Sequence, residues 1–438
     1  MNVCVMGLWH LGSVTAACVA SLGHRVVGFD FDMAAVAGLR EGHPPLFEPG
    51  LEELVGRGLA AGNLSFSSDP GSALEKAELL WVAYDTPVDE DDRADVDFVI
   101  DCVARVLPFL PQGMTVLLSS QLPVGSTRRL ETLAATKYPD RDLGFACSPE
   151  NLRLGKAIDV FMKPDRIVAG VRRKKDRARL ALLLGGITDR IEWMSIESAE
   201  MTKHAINAFL ATSVVFTNEI ASICEFVGAD AKEVERGLKS ESRIGPKAYL
   251  APGGAFAGGT LARDIAFLNG IAQRHGLTSR LLSSVKAGND EHKGWTRRRL
   301  RSALGSLFGV RIAIWGLTYK PGTDTLRRSM AVELCDWLIT EGAEVRVHDP
   351  AVKALPASFA ESVRRFDEPM QALEGARALV ICTEWPLYRD IPGQQVAKAA
   401  LGLTVIDANR FLVELAATPG IKYLAVGTPD PDISRAVQ

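Results

Sequence analysis

A chain of 438 residues, 47% hydrophobic and 24% charged, is too long for one ordinary core and fits a globular protein of two or three domains. Its formal net charge of −3 excludes a general electrostatic attraction to nucleic acid or membrane, so a phosphorylated ligand needs a local basic site. The seven cysteines (Cys4, Cys18, Cys102, Cys147, Cys224, Cys335 and Cys382) are odd in number and scattered, with no CxxC pair. That pattern argues against a disulfide framework or a bound metal and for a reducing, cytoplasmic setting.

The first residues run straight into an apolar strand, Val3 to Met6, with no basic flank and no small-residue cleavage site, so no signal peptide is expected. No apolar run reads as long enough to span a bilayer. After Gly7, a helix rich in Ala and Val is expected over Ser13 to Leu22. The Gly23-His24 turn and a second strand, Arg25 to Phe29, ending at Asp30, complete a β-α-β unit. Further buried strands are expected at Leu79 to Ala83, Thr115 to Leu118, Gly144 to Cys147 and Arg166 to Ala169. Strands alternating with helices predict an α/β fold with a parallel, doubly wound sheet.

The pattern then changes. Ser195 to Val227 has helical spacing with no proline or glycine, which predicts an unusually long helix. Helical stretches continue to about Leu300. A second β-α-β start follows, with strand Arg311 to Trp315, Gly316, helix Met330 to Thr340 and strand Glu344 to His348, ending at Asp349. Later strands are expected at Leu379 to Cys382 and Thr404 to Ile406. The expected division is 1–194 as a first Rossmann-like domain, 195–300 as a central helical domain, and 301–438 as a second Rossmann-like domain.

Gly7-Leu8-Trp9-His10-Leu11-Gly12 stands where a dinucleotide-binding turn, G-x-G-x-x-G, belongs, and Asp30 stands where its ribose-binding acid belongs. Gly7 makes the tight turn and Gly12 lets the helix pack closely. An acid with no nearby arginine favours NAD over NADP. The middle glycine, which normally lets the pyrophosphate approach bare backbone, is Trp9. The turn therefore reads either as a NAD site with a displaced pyrophosphate or a mobile Trp9, or as a turn that only packs the fold.

Longer stretches are more specific. Leu46 to Leu54 reads LFEPGLEEL and Ser120 to Thr127 reads SQLPVGST. Ser148 to Gly170 reads SPENLRLGKAIDVFMKPDRIVAG and Lys203 to Thr212 reads KHAINAFLAT. Arg243 to Lys247 reads RIGPK, Gly316 to Ser329 reads GLTYKPGTDTLRRS and Thr383 to Pro386 reads TEWP. In this order the chain resembles the UDP-glucose/GDP-mannose dehydrogenase family over nearly its whole length. The resemblance implies an N-terminal NAD-binding domain and a homodimer built on the long helix. It also implies a C-terminal domain that binds a nucleotide-diphosphate sugar. It further implies oxidation of the sugar's C6 alcohol to a carboxylate in two NAD-dependent steps, through a cysteine thiohemiacetal and thioester.

The family's cysteine motif resembles PGFAFGGSCLPKD. Here Pro252 to Asp264 reads PGGAFAGGTLARD at the same length, placing Thr260 on the cysteine and Gly259 on the preceding serine. A thiolate is accessible near neutral pH, whereas a threonine hydroxyl is a poor nucleophile without a dedicated base. Cys147, just before the Ser148-Pro149-Glu150 loop, is the nearest substitute, with packing as its plainer reading. Other implied catalytic positions are kept. Lys203 and Asn207, four apart on one helix face, match the family's oxyanion and water donors. Asp264 is retained, Glu150 matches the loop glutamate, and Gln121 stands where many members carry threonine.

By the same resemblance, Gly7, Trp9, Leu11, Gly12, Asp30, Thr86 and Arg327 lie on the NAD side. Lys320, Tyr249, Phe256 and Gly258 lie on the sugar-nucleotide side, and Arg243 reaches a neighbouring subunit's site. The family's D-x-R-N is here Asp407-Ala408-Asn409-Arg410, which leaves open whether Arg410 meets a phosphate. The leading expectation is an NAD-dependent oxidoreductase on a nucleotide-diphosphate hexose, like a UDP-glucose 6-dehydrogenase, that is restricted by the missing cysteine. A non-catalytic nucleotide-sugar-binding relative and a redox-neutral isomerase using NAD transiently are the alternatives.

Overall fold

The computed structural model describes residues 1–87, 89, 94–150, 152–257, 259–359 and 362–429. The chain divides into two compact units, Met1–Ile206 and Asn207–Gln438.

The first unit is an eight-stranded sheet of β1 (Asn2–Met6), β2 (Arg25–Phe29), β3 (Leu64–Ser67), β4 (Leu79–Val82), β5 (Thr115–Leu118), β6 (Gly144–Cys147), β7 (Ile167–Val171) and β8 (Ile191–Met194). The spatial order is β3-β2-β1-β4-β5-β6-β7-β8. The order reverses at β1, where the chain crosses to β4, and this opens the crevice in which such sheets bind ligands. β4 is buried along its whole length, as expected of a strand covered by helices on both faces. Val3, Val5, Trp81 and Leu117 form the core on one face. Cys4, Met6, Leu80, Val82, Val116 and Leu118 form it on the other, following the period of two.

The expectation of a wholly parallel sheet needs one correction. β7 pairs antiparallel with β6, through Ala146↔Val171 and Cys147↔Gly170. Among the described residues the connection between them is the six-residue helix Ala157–Met162 and loop, and β7 runs back along β6 from the end where β6 stops.

Helix α1 (His10–Ser21) begins three residues earlier than expected, because the glycine turn feeds directly into it. Helix α2 (Ser126–Lys137) follows β5. Helix α3 (Ile196–Val227) has 32 residues, and the boundary between the units falls inside it. By length and composition it could cross a membrane, against the expectation that no segment could. Its opening turns nevertheless carry charged side chains bonded within the first unit. Glu200 accepts the N–H groups of Gly125 (2.7 Å) and Thr127 (2.9 Å) at the start of α2. His204 Nε2 lies 3.0 Å from the Leu122 carbonyl oxygen.

The second unit contains the rest of α3, helices α4 (Thr260–Arg274) and α5 (Arg280–Lys293), and a six-stranded parallel sheet. Its strands are β9 (Arg311–Trp315), β10 (Glu344–His348), β11 (Val363–Arg365), β12 (Ala378–Ile381), β13 (Leu403–Asp407) and β14 (Ile421–Leu424), in the order β11-β10-β9-β12-β13-β14. Helix α6 (Met330–Thr340) follows β9, and Ser329 caps it by accepting the Ala331 N–H. Glu225 of α3 is buried with Arg299, with which it forms an ion pair, and also accepts the Trp295 indole N–H at 2.8 Å.

Candidate active site

In the first unit the glycine turn has a steric logic. Gly7 has φ +93°, and a Cβ there would sit 2.8 Å from Tyr84. A Cβ on Gly12 would fall 1.5 Å from the Gly7 carbonyl oxygen, so α1 can start here only with glycine. Trp9 is different. Its backbone (φ −76°, ψ −149°) is one that any residue adopts, and the side chain is 51% exposed. The turn therefore keeps its shape without the middle glycine, and the indole stands outside the core.

Asp30 closes the turn from β2. One carboxylate oxygen accepts the Leu8 N–H at 2.6 Å and the other the Asp32 N–H at 3.0 Å. The expectation of no nearby arginine is corrected in space. The Arg105 guanidinium lies 3.5 Å above the Phe31 ring, one residue beyond Asp30. It comes from a helix that pattern reading did not connect to β2. Leu11 is buried and its N–H reaches Asp85 Oδ2 at 3.3 Å. Thr86 is buried and donates to the Gln121 carbonyl oxygen at 2.8 Å, joining the ends of β4 and β5.

Leu11 and Glu150 line one cavity of about 450 Å³, together with Thr15, Ser148, Arg153 and Ile206. The cofactor turn and the Ser148-Pro149-Glu150 loop thus meet in one space. Lys203 Nζ donates to the Glu150 carbonyl oxygen at 2.6 Å and lies 3.9 Å from its carboxylate. Beside Lys203 is a second cavity of about 10 Å³, lined by Ser120, Gln121, Cys147 and Glu200. That is about the room one water needs, and the buried Ser120 hydroxyl has no partner in the protein. Cys147 is 5% exposed, and burial, reinforced by Glu200, holds its thiol far above its usual range. It is a packing residue, not a thiolate nucleophile.

In the second unit, Thr260 is the first residue of α4 and is exposed. Asp264, one turn on, is fully buried and accepts a short hydrogen bond from the Asn207 amide. The segment before Thr260 is held by three asparagines, of which sequence reading named only Asn409 and gave it no such role. Asn289 of α5 accepts the Phe256 N–H at 3.0 Å and donates to its carbonyl oxygen at 2.8 Å. Asn218 accepts the Gly253 N–H at 3.0 Å, and Asn409 accepts the Gly254 N–H at 2.7 Å. The only sequence signal of Asn218 and Asn289 is asparagine inside otherwise regular helices, where it has no propensity advantage, while Asn409 lies in the turn after β13.

A cavity of about 390 Å³ lies against this segment. Phe256, Lys293, Trp295, Arg297, Lys320 and Arg328 are among its lining residues. Cations and aromatic faces together suit a nucleoside diphosphate. Of the residues expected on the sugar-nucleotide side, Phe256 and Lys320 line this cavity. Tyr249 is 58% exposed, and Arg243 is exposed and pairs with Glu241 at 2.9 Å. Gly258 lies outside the described residues. Arg327 is exposed, and its neighbour Arg328 is the one that lines the cavity. Arg410 is turned to Asp230, with both carboxylate oxygens 2.9 Å from its Nη1.

The second glycine turn is built like the first but closed. A Cβ on Gly316 would fall 2.4 Å from Thr383. Asp349, the counterpart of Asp30, is 2% exposed and accepts Leu317 N–H, Thr318 N–H and the Trp385 indole N–H at 2.7–3.0 Å. Its hydrogen bonds hold the turn itself.

Residues 1–185 match the UDP-glucose/GDP-mannose dehydrogenase family's NAD binding domain, residues 197–291 its central domain and residues 313–414 its UDP binding domain. The UDP-glucose 6-dehydrogenase of Pseudomonas aeruginosa is 34% identical over 448 residues, covering 98% of each chain. That of Rhizobium meliloti is 34% identical over 439 residues, covering 98% of this chain and all of the relative. A UDP-glucose dehydrogenase structure from Pyrobaculum islandicum matches with TM-score 0.86 at 30% identity, covering 98% of each chain. The chain belongs to the UDP-glucose/GDP-mannose dehydrogenase family and carries its NAD-binding domain.

Proposed function

We propose that this protein is an NAD-dependent dehydrogenase that oxidises the C6 alcohol of a nucleotide-diphosphate hexose, with UDP-glucose as the first candidate, by a single hydride transfer. The observation that carries the restriction is Thr260. It begins α4 intact, at the position where relatives of this pattern have cysteine, while Asp264 and Asn207 remain bonded one turn on. Loss of the thiol removes covalent capture of the aldehyde and leaves the first oxidation unaffected.

NAD, when bound, would supply the hydride acceptor; Gly7, Gly12 and the first turn of α1 would hold its pyrophosphate, and Asp30 would accept from its adenosine ribose. Leu11 lines the cavity wall shared with Glu150. Lys203, held by the Glu150 carbonyl oxygen, donates to the C6 oxygen as negative charge develops there. Asn207 would orient a water, through which Asp264 would take the proton that the C6 hydroxyl loses as its hydride leaves, and Gln121 borders the water-sized cavity beside Lys203. Lys320 holds the diphosphate, and Phe256 packs beside it. By the resemblance, Arg327 would contact NAD and Arg243 would complete a second subunit's site in a homodimer.

The NADH yield per UDP-glucose consumed tests this reading. One equivalent, with an aldehyde trapped by hydroxylamine, is expected, and Thr260→Cys should raise the yield toward two. Two equivalents from the unaltered protein would sink the restriction. Absence of NAD binding by calorimetry would sink the enzyme reading.

A further inference from the structure

Resting on that reading of the first glycine turn, we infer that Asp85 sets cofactor affinity by competition. Its carboxylate occupies the start of α1, the place the pyrophosphate of NAD takes, and it leaves before the cofactor binds. The contact is direct, because Asp85 Oδ2 accepts the Leu11 N–H at 3.3 Å. Leu11 is the second residue of α1, so its N–H is one of the four at the helix start that no carbonyl of the helix satisfies. These groups, backed by the positive end of the helix dipole, are the ones that hold a pyrophosphate after a glycine turn. A carboxylate and a pyrophosphate are both anions, and both draw on the same N–H.

The local sequence accounts for a carboxylate in this place. Trp9 is the N-cap of α1 and makes no side-chain capping bond, since an indole has a donor and no acceptor. The first turn of α1 contains no acidic residue either. The missing acceptor comes from the neighbouring strand. Met6 of β1 pairs with Val82 of β4, so the residues that follow the two strands run side by side. Tyr84 lies against Gly7, and Asp85, the next residue, meets the helix start. Asp30 already borders the same turn, accepting the Leu8 N–H at 2.6 Å, so an arriving pyrophosphate meets two carboxylates. Asp85 is exposed, and turning its side chain into solvent uncovers no core. Its charge therefore opposes the cofactor at the turn that should attract it.

Calorimetry on the full chain with NAD and ADP-ribose tests this. Asp85→Asn keeps an acceptor for the Leu11 N–H and removes the charge. It should tighten both ligands about tenfold or more at low salt, because both carry the pyrophosphate. The gain should shrink below about threefold in 1 M NaCl, where charges are screened within about 3 Å. Asp85→Ala, which also removes the cap, should tighten both ligands by less. Unchanged affinities in Asp85→Asn, with weaker binding in Asp85→Ala, would make Asp85 a helix cap alone and overturn the inference. Weaker binding in Asp85→Asn would make Asp85 a partner of the cofactor and overturn it too. So would a gain confined to NAD, which would put Asp85 at the nicotinamide, or a gain that salt leaves unchanged. These adverse results leave the proposed function standing, whereas absence of NAD binding by unaltered protein and both variants overturns the two together.

Discussion

Asp30 and Asp349 occupy equivalent places after the second strand of each sheet, and their surroundings differ. Asp349 is buried and accepts from Leu317 and Thr318 of the glycine turn and from the Trp385 indole, whereas Asp30 is half-buried and accepts the Leu8 and Asp32 N–H groups, with Arg105 over the neighbouring Phe31 ring. Asp30→Ala is expected to weaken NAD roughly tenfold or more, the loss of a charge-assisted hydrogen bond. It should also narrow the gap between NAD and NADP, because a carboxylate repels a 2′-phosphate and the nearby Arg105 attracts it. Fluorescence titration with both cofactors measures this. An unchanged ratio of the two affinities would remove Asp30 from the cofactor site.

At the scale of elements, α3 is anchored through its first turn. Glu197 accepts from Arg172 at 2.6 Å and from Arg128 at 2.5 Å. These hydrogen bonds, Arg172's first, hold its carboxyl down at about 2, against burial acting the other way. The folded value lies below the usual 4.5, so the stabilisation is complete above that pH and is lost as pH falls toward 2. Glu197→Gln is expected to cost about 0.5–1 kcal/mol at pH 7, the range for a partly exposed pair. The deficit should close between pH 5 and 2 in urea titrations. A deficit independent of pH would mean that Glu197 acts through packing.

For the whole molecule, the length of α3 leaves an apolar stripe. Phe209, Phe216 and Ile223 are spaced by seven residues, two turns apart, and Phe226 is one turn further; they are 70%, 45%, 57% and 53% exposed. The proposed homodimer covers this stripe, because a row of large apolar side chains on a helix gains by burial against a second copy. Phe209→Arg with Phe216→Arg should halve the mass seen in sedimentation equilibrium. A mass unchanged by the double substitution would move the interface elsewhere.

The sequence by itself determined the two α/β sheets, because continuous runs such as Leu79 to Val82 and Arg311 to Trp315 can be buried only as central strands between helices. It determined the glycine turns, whose residues are forced by backbone contact, and the family, whose motifs occur in order. The sequence also put Thr260 where the resemblance implies a cysteine, because the loop kept its length. Tertiary structure decided what depends on residues distant in sequence. The antiparallel pairing of β7 with β6 is one such feature. The clamp of Asn218, Asn289 and Asn409 on the Thr260 segment draws on three separate elements. Arg105 over Phe31 and Arg328 against Gly259 carry no signal in local pattern. Periodicity reports which face of an element is buried, while a polar contact between elements depends on the geometry that brings them together.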